Sequence, residues 1–420
     1  MNWSVFCVVL FVAVGVAQPP PSLGAYLAQH EGEAQWAVAA TQDLGLAKLT
    51  EIRLVSQVWR GIPWHHRIML AEPHRPEFGD VVILYVSGDR SALDSSLALA
   101  AAMEAGMPMA VLSDVPNQPL FGRREDALIA YTFERYAESG ETDWPLLFPM
   151  TRSALAAMEA ITSCMRESGR DVRGFVVTGA SKRGWTSYLA AAARPDVVIG
   201  LVPMVYEALD MASHIAHQLA FWGKTSRMIE DYQPLFGFLE TPEGQALAQA
   251  VDPYAYRHRL TMPKLVVVGS NDPYWPVNSA NLYWGELPEP KGLARLANAG
   301  HSLGDWIRVA RIVATFARLV AAGQPLPRVE AEFVEEPQGL RVTVRTTQAP
   351  AAVRLWVASD QVQDFRGALW TASPLPPASP AEALVPWPAS GYRAVYAEVI
   401  FDQGGRELAL ATGVAVLAPR

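Results

Sequence analysis

The chain has 420 residues, enough for two domains, and half of them are hydrophobic, so a large core can be buried. A formal charge of −8 with no Lys/Arg cluster excludes the basic face that a nucleic-acid partner needs. Internal repeats and low-complexity tracts are absent.

The chain opens on a targeting pattern. Val5 to Val16 is an apolar run of signal-peptide length, and Gly15-Val16-Ala17 offers small residues for cleavage before Gln18. Residues 1–17 therefore read as an export signal, although Met1-Asn2-Trp3-Ser4 brings no side-chain cation. A single-pass anchor is the alternative, but the run is shorter than the ~20 residues that span a bilayer, and no later run reaches that length. Cys7 lies inside this segment, which leaves Cys164 alone in the mature chain, a core thiol with no disulfide partner.

From Leu49 the pattern is α/β. Strand-like runs fall at Leu54–Trp59, Arg67–Ala71, Val81–Ser87, Met109–Leu112, Phe175–Thr178, Val197–Pro203, Lys264–Gly269 and Leu293–Ala297. Helical patterns fall at Ser91–Ala105, Arg124–Ser139, Leu146–Ser168, Trp185–Ala193 and Leu303–Ala322. The first two strands are joined tightly and the later ones are separated by helices. That order predicts a mostly parallel sheet with an antiparallel N-terminal edge. Trp64-His65-His66 tempts as a metal pair, but adjacent histidines on a strand point to opposite faces, so packing is the better reading.

Val176-Val177-Thr178-Gly179-Ala180-Ser181-Lys182-Arg183-Gly184-Trp185 carries the chemistry. A buried strand ends in small residues, then a serine, then a helix start. This is the order of a nucleophile elbow, apart from Arg183 at the fifth place of G-x-S-x-G. Downstream, Leu265 to Ser270 is an apolar strand followed by Asn271-Asp272, and Leu293 to Ala297 leads to Asn298-Ala299-Gly300-His301. Singly, each residue has a plainer reading: Ser181 caps a helix, Asp272 forms a turn, His301 is a surface histidine. Serine, acid, histidine in that order, each at a strand end, read as a triad: His301 takes the Ser181 proton and Asp272 orients the imidazole.

The oxyanion donors expected are the N–H of Lys182 and one from Ser87-Gly88-Asp89, with Gly88 allowing close backbone approach. The side chains of Lys182 and Arg183 are either a solvated pair or a magnet for a carboxylate-bearing substrate. No cofactor or metal is called for. Residues from about 210 to 261 form a helical insertion rich in aromatics (Phe221, Trp222, Tyr232, Phe236, Phe238, Tyr254, Tyr256). They read either as a lid favouring an apolar or peptide-like ligand, or as plain packing.

Ala322-Gly323-Gln324-Pro325-Leu326-Pro327 is a boundary. Beyond it period-two alternation takes over (Leu340, Val342, Val344; Val353, Leu355, Val357), which predicts an all-β sandwich of the immunoglobulin or fibronectin-III kind over 325–420. It holds no catalytic constellation, so its role is structural or in binding a protein or glycan. The hydrolase part then covers 18–324.

These blocks, with Ser56-Gln57-Val58-Trp59, Trp64-His65-His66 and Pro203-Met204-Val205-Tyr206, resemble the PhoPQ-activated pathogenicity-related proteins, which include the autocrine proliferation repressors of amoebae. Arg183 is part of that family's own elbow pattern. The resemblance implies an α/β-hydrolase domain, secretion and a β-sandwich tail, and it leaves the substrate open. The chain departs from it at Glu207 and Asp210, where Asp and Asn are expected. Together these readings predict an exported serine hydrolase acting on a small ester or peptide-like substrate through an acyl-enzyme. The alternative is a secreted signalling or binding protein on the same scaffold.

Overall fold

The computed structural model describes residues 21–420, so the expected signal at 1–17, with Cys7, lies outside the described residues. The centre is one nine-stranded sheet, in spatial order β1-β2-β3-β5-β4-β6-β7-β8-β9. Its strands are β1 (Gln35–Asp43), β2 (Ala47–Trp59), β3 (Ile62–Pro73), β4 (Val81–Val86), β5 (Met109–Ser113), β6 (Gly174–Ala180), β7 (Val198–Met204), β8 (Lys264–Gly269) and β9 (Lys291–Leu296). β1 to β3 and the β3–β5 pair are antiparallel, and the pairings from β5 through β9 are parallel.

The eight expected strands correspond to β2 to β9. β1 is additional: almost all of its residues are exposed, so it has no buried face to leave a period-two signature, and pairing with the long β2 holds it.

Nine α-helices are described: α1 (Leu23–Gln29), α2 (Asp94–Ala105), α3 (Glu125–Ser139), α4 (Leu147–Glu167), α5 (Lys182–Ala193), α6 (Met211–Trp222), α7 (Phe236–Leu239), α8 (Pro242–Val251) and α9 (Trp306–Ala321). The parallel strands are covered on both faces, which is why they read as continuous apolar runs. Val82, Leu84 and Val177 pack with residues of α4 and α5, while Val81, Ile83 and Val176 pack with residues of α2 and α9. Cys164 is a buried residue of α4.

Between β7 and β8 the chain makes an excursion of α6, α7 and α8 with 3-10 turns at Arg227–Leu235 and Pro253–Arg259. Its helices carry their own caps. Asp210 accepts from the Ser213 N–H, and Thr241 accepts from the Gly244 N–H with Pro242 in the first turn. No helix among the described residues is long and apolar enough to cross a membrane.

After α9 come eight further strands, all antiparallel, in two sheets that do not join the central one. β10 (Val329–Glu336), β11 (Gly339–Thr346) and β14 (Ala381–Pro386) form the first. β12 (Ala352–Asp360), β13 (Thr371–Leu375), β15 (Tyr392–Asp402), β16 (Glu407–Ala411) and β17 (Ala415–Leu417) form the second. Their apolar faces are continuous with the rest of the molecule: Val342, Val399, Phe401 and Leu410 share a buried cluster with Leu265, Leu296 and Phe316. Arg308 of α9 adds ion pairs to Glu398 (2.7 Å) and Glu407 (2.9 Å).

Candidate active site

Ser181 stands between β6 and α5 with φ +58° and ψ −124°, a conformation that costs of order 1–3 kcal/mol for a residue with a side chain. Its own N–H donates to Met204 O (2.8 Å), and its carbonyl accepts from the Trp185 N–H (3.0 Å). Two glycines make the turn possible, each at a different contact. A Cβ on Gly179 would lie 2.6 Å from the Arg183 carbonyl oxygen, and one on Gly184 would lie 3.0 Å from Met204 O on β7. The second small residue is thus needed at 184, which leaves position 183 open to arginine.

Asp272 follows β8 and His301 follows β9. The imidazole Nε2 is 3.0 Å from Ser181 Oγ, and Nδ1 is 2.8 Å from Asp272 Oδ2. With Nδ1–H donating to the buried carboxylate, Nε2 is left to accept the serine proton. Tyr274 fixes both partners. Its N–H donates to Asp272 Oδ1 (2.9 Å), and its ring stacks on the imidazole with centroids 4.2 Å apart.

The two neighbouring acids do other things. Asp210 caps α6. Glu207 is buried behind the site with Oε1 lacking a hydrogen-bond partner. Burial pushes its carboxyl up to about 8, with Arg295 opposing the shift and Asp272 adding to it.

Lys182 opens α5, where first-turn N–H groups have no intrahelical acceptor. Gly88 lies just past β4, the neighbour of β6 in the sheet, and its loop is tied down by Ser87 N–H to Leu112 O (2.8 Å) and Val115 N–H to Ser87 O (3.1 Å). The glycine makes room for an arginine: a Cβ there would sit 2.8 Å from the Arg183 guanidinium. Gly88 is not among the residues lining the cavity at Ser181.

The basic pair is neither solvated nor free for a substrate. Arg183 is buried and forked onto Glu125 (2.6 and 2.8 Å), with Nε donating to Val115 O. Burial alone would raise the Glu125 carboxyl, yet the bonds and charge of Arg183 hold it down to about 2. Lys182 Nζ sits 2.8 Å from Asp126, which also accepts from the hydroxyls of Tyr232 and Tyr274 (2.9 Å each). Sequence reasoning missed Glu125 and Asp126, because acids at a helix start are ordinary complements to its dipole.

A cavity of about 90 Å³ opens beside Ser181 and His301, walled by residues such as Trp185, Tyr206, Met211, Tyr232, Leu247 and Trp275. Of the seven aromatics singled out in the insertion, only Tyr232 and Phe236 reach it. Phe221 and Trp222 pack with Phe365 and Trp370, and Phe238, Tyr254 and Tyr256 pack on the main core. His65 is exposed, while His66 is buried, bonded to Ser56 Oγ (2.9 Å) and pushed down to about 4 by burial.

Two asparagines tie the site to the all-β region. Asn271 Nδ2 donates to the carbonyls of Phe365, Arg366 and Ala368 (3.1, 3.2 and 2.8 Å). Asn298, at φ +57°, donates to Trp370 O (3.0 Å) and accepts from the Trp370 N–H (2.7 Å). Both lie on the loops that carry Asp272 and His301. Both stood in motif blocks of the sequence, but nothing there hinted at their partners.

Residues 23–366 match the model of a family described as PhoPQ-activated pathogenicity-related protein. Autocrine proliferation repressor protein A of Dictyostelium discoideum is 30% identical over 348 residues, covering 75% of this chain and 70% of that protein. Among solved structures, acetyl xylan esterase 1 from Thermoanaerobacterium sp. superposes with a TM-score of 0.51 at 15% identity, over 72% of this chain and 95% of that one. At that identity the likeness is one of fold, the α/β-hydrolase fold.

Proposed function

Because the chain belongs to the PhoPQ-activated pathogenicity-related protein family and carries an α/β-hydrolase fold, we propose that it is an exported serine hydrolase cleaving an ester or amide bond. The observation that carries this reading is the line Ser181 Oγ–His301–Asp272, at 3.0 and 2.8 Å, with the serine on a strained elbow. His301 Nε2 takes the hydroxyl proton as Oγ attacks the carbonyl, and Asp272 stabilises the imidazolium. The oxyanion is held by the Lys182 N–H, and losing such a donor costs about 10²–10³ in rate. Collapse expels the alcohol or amine, protonated by His301, and leaves an acyl group on Ser181. Water, deprotonated by His301, releases the acid.

The hydrolase unit is assigned to 18–324, with its insertion at about 210–261, and the all-β unit at 325–420 to an immunoglobulin or fibronectin-III-like sandwich. A p-nitrophenyl butyrate assay tests the reading. It predicts a burst of p-nitrophenol stoichiometric with protein that is absent in Ser181→Ala; turnover unaffected by that substitution overturns it. The name of the Dictyostelium relative, a proliferation repressor, favours one other reading: an exported signalling protein on this scaffold. Full biological activity in Ser181→Ala would select it.

A further inference from the structure

The cavity beside Ser181 constrains what can enter it, through charge and shape. Four groups on its wall are ionisable acids, bases or imidazoles: Asp126, Lys182, His214 and His301. Asp126 and Lys182 neutralise each other at 2.8 Å, and two tyrosine hydroxyls complete the Asp126 carboxylate. His214 is 2% exposed, and burial pushes it down to about 3, so its ring is uncharged. His301 is engaged by Asp272 and Ser181. A charged substrate group would therefore lose its water and meet no counter-ion, which is strongly unfavourable.

Shape adds a preference. Trp185 stacks on Tyr206 (5.1 Å, 20°), Tyr206 meets Trp275 edge-on (6.4 Å, 82°), and Trp275 lies beside Tyr274 (5.8 Å), which stacks on His301. This continuous wall of rings runs from the imidazole into the cavity. Such walls favour a further ring, by offset stacking or edge-to-face contact. The insertion adds aliphatic side chains to the lining, among them Met211, Ile229 and Leu247. The volume, about 90 Å³, is of the order of the ~150 Å³ dry cavity that accepts benzene, and several times what one water needs.

Building on the hydrolase reading above, we infer that the substrate of this site is a neutral ester or amide carrying one ring-sized apolar group next to the scissile bond, held against the Trp185–Tyr206–Trp275 wall. Acetyl-only and anionic substrates leave the wall unused or bring an uncompensated charge.

The test compares kcat/KM for methyl acetate, methyl phenylacetate, monomethyl succinate and benzyl acetate, with labelling of Ser181 by a small fluorophosphonate run in parallel. Burying a ring should raise kcat/KM at least about tenfold over methyl acetate, on the acyl or the alcohol side, since one buried methylene is already worth roughly fourfold. Monomethyl succinate should fall at or below methyl acetate. Ala248→Trp, which fills the cavity from α8, should bring the ring-to-acetate ratio close to one. Because the ratio is taken within one preparation, partial unfolding does not mimic that result. Labelling at Ser181 with flat rates across the four esters, a preference for succinate, or an unchanged ratio in Ala248→Trp would overturn the substrate class and leave the catalytic reading standing. Neither labelling nor turnover would overturn both.

Discussion

The helical excursion between β7 and β8 and the all-β region after α9 both reach the loops at the Ser181 end of the sheet, but by different chemistry. The excursion presents apolar side chains to the cavity and satisfies its own backbone with caps such as Asp210, Thr241 and Asp252. The all-β region presents backbone carbonyls, gripped by Asn271 one residue before Asp272 and by Asn298 three residues before His301. A wall of side chains can change without moving the triad, whereas a backbone clamp beside the acid and the imidazole cannot. On the hydrolase reading proposed above, the excursion adds aliphatic lining to a cavity whose ring wall comes from the core, and the all-β region steadies the loops that carry Asp272 and His301.

The largest effect expected belongs to the loops that the clamp steadies. Asp272→Asn presents the wrong tautomer to Ser181 and should lower kcat by about 10³–10⁴ with KM little changed. A loss below tenfold would mean that Asp272 does not orient His301.

Glu207, just after β7, gives the next largest effect. Burial lifts its carboxyl from 4.5 to about 8, so the folded protein keeps this proton in a window where the unfolded chain has lost it. Its contribution to stability is fully present below about pH 4.5, declines as pH rises towards 8, and is lost above. Glu207→Gln keeps the neutral shape and should remove this slope. Chemical denaturation should show the variant gaining on the wild type from pH 5 to pH 8, by on the order of a few kcal/mol. Parallel curves would contradict the burial argument.

Asn271→Ala tests the clamp itself. Three carbonyls lose their donor, and the loop carrying Asp272 loses its anchor. The expected result is a fall in kcat of about 10- to 100-fold with KM within threefold, alongside a stability loss of about 1–3 kcal/mol. The smallest effect is expected at the aliphatic lining: Ile229→Ala should raise KM several-fold for a ring-bearing ester with kcat within twofold, as uniform binding is lost. If Asn271→Ala moved KM and Ile229→Ala moved kcat, the contrast between the two regions would be reversed.

Much of this was legible in the sequence, for a physical reason. Parallel strands are buried on both faces, so β4, β6, β8 and β9 read as apolar runs, and the loops that follow them gather at one edge of the sheet. Ser181, Asp272 and His301 were singled out that way, and the structure brings the three within hydrogen-bond reach. β1 was not, because it has no buried face. Asp126 and Tyr274 were not, because their bond joins residues far apart in sequence (2.9 Å in space). The clamp was invisible from its far side, since any residue at 365–370 can supply a carbonyl. Composition marked the insertion as aromatic but does not orient rings, so five of the seven proved to be packing.

The central claim is that Ser181 is a nucleophile activated by His301. It is tested most directly by treating the folded protein with a fluorophosphonate and mapping the adduct by mass spectrometry. The account predicts one adduct, on Ser181, abolished in Ser181→Ala and slowed by orders of magnitude in His301→Ala. A folded wild-type protein that stays inert, or that labels equally fast without His301, would contradict it.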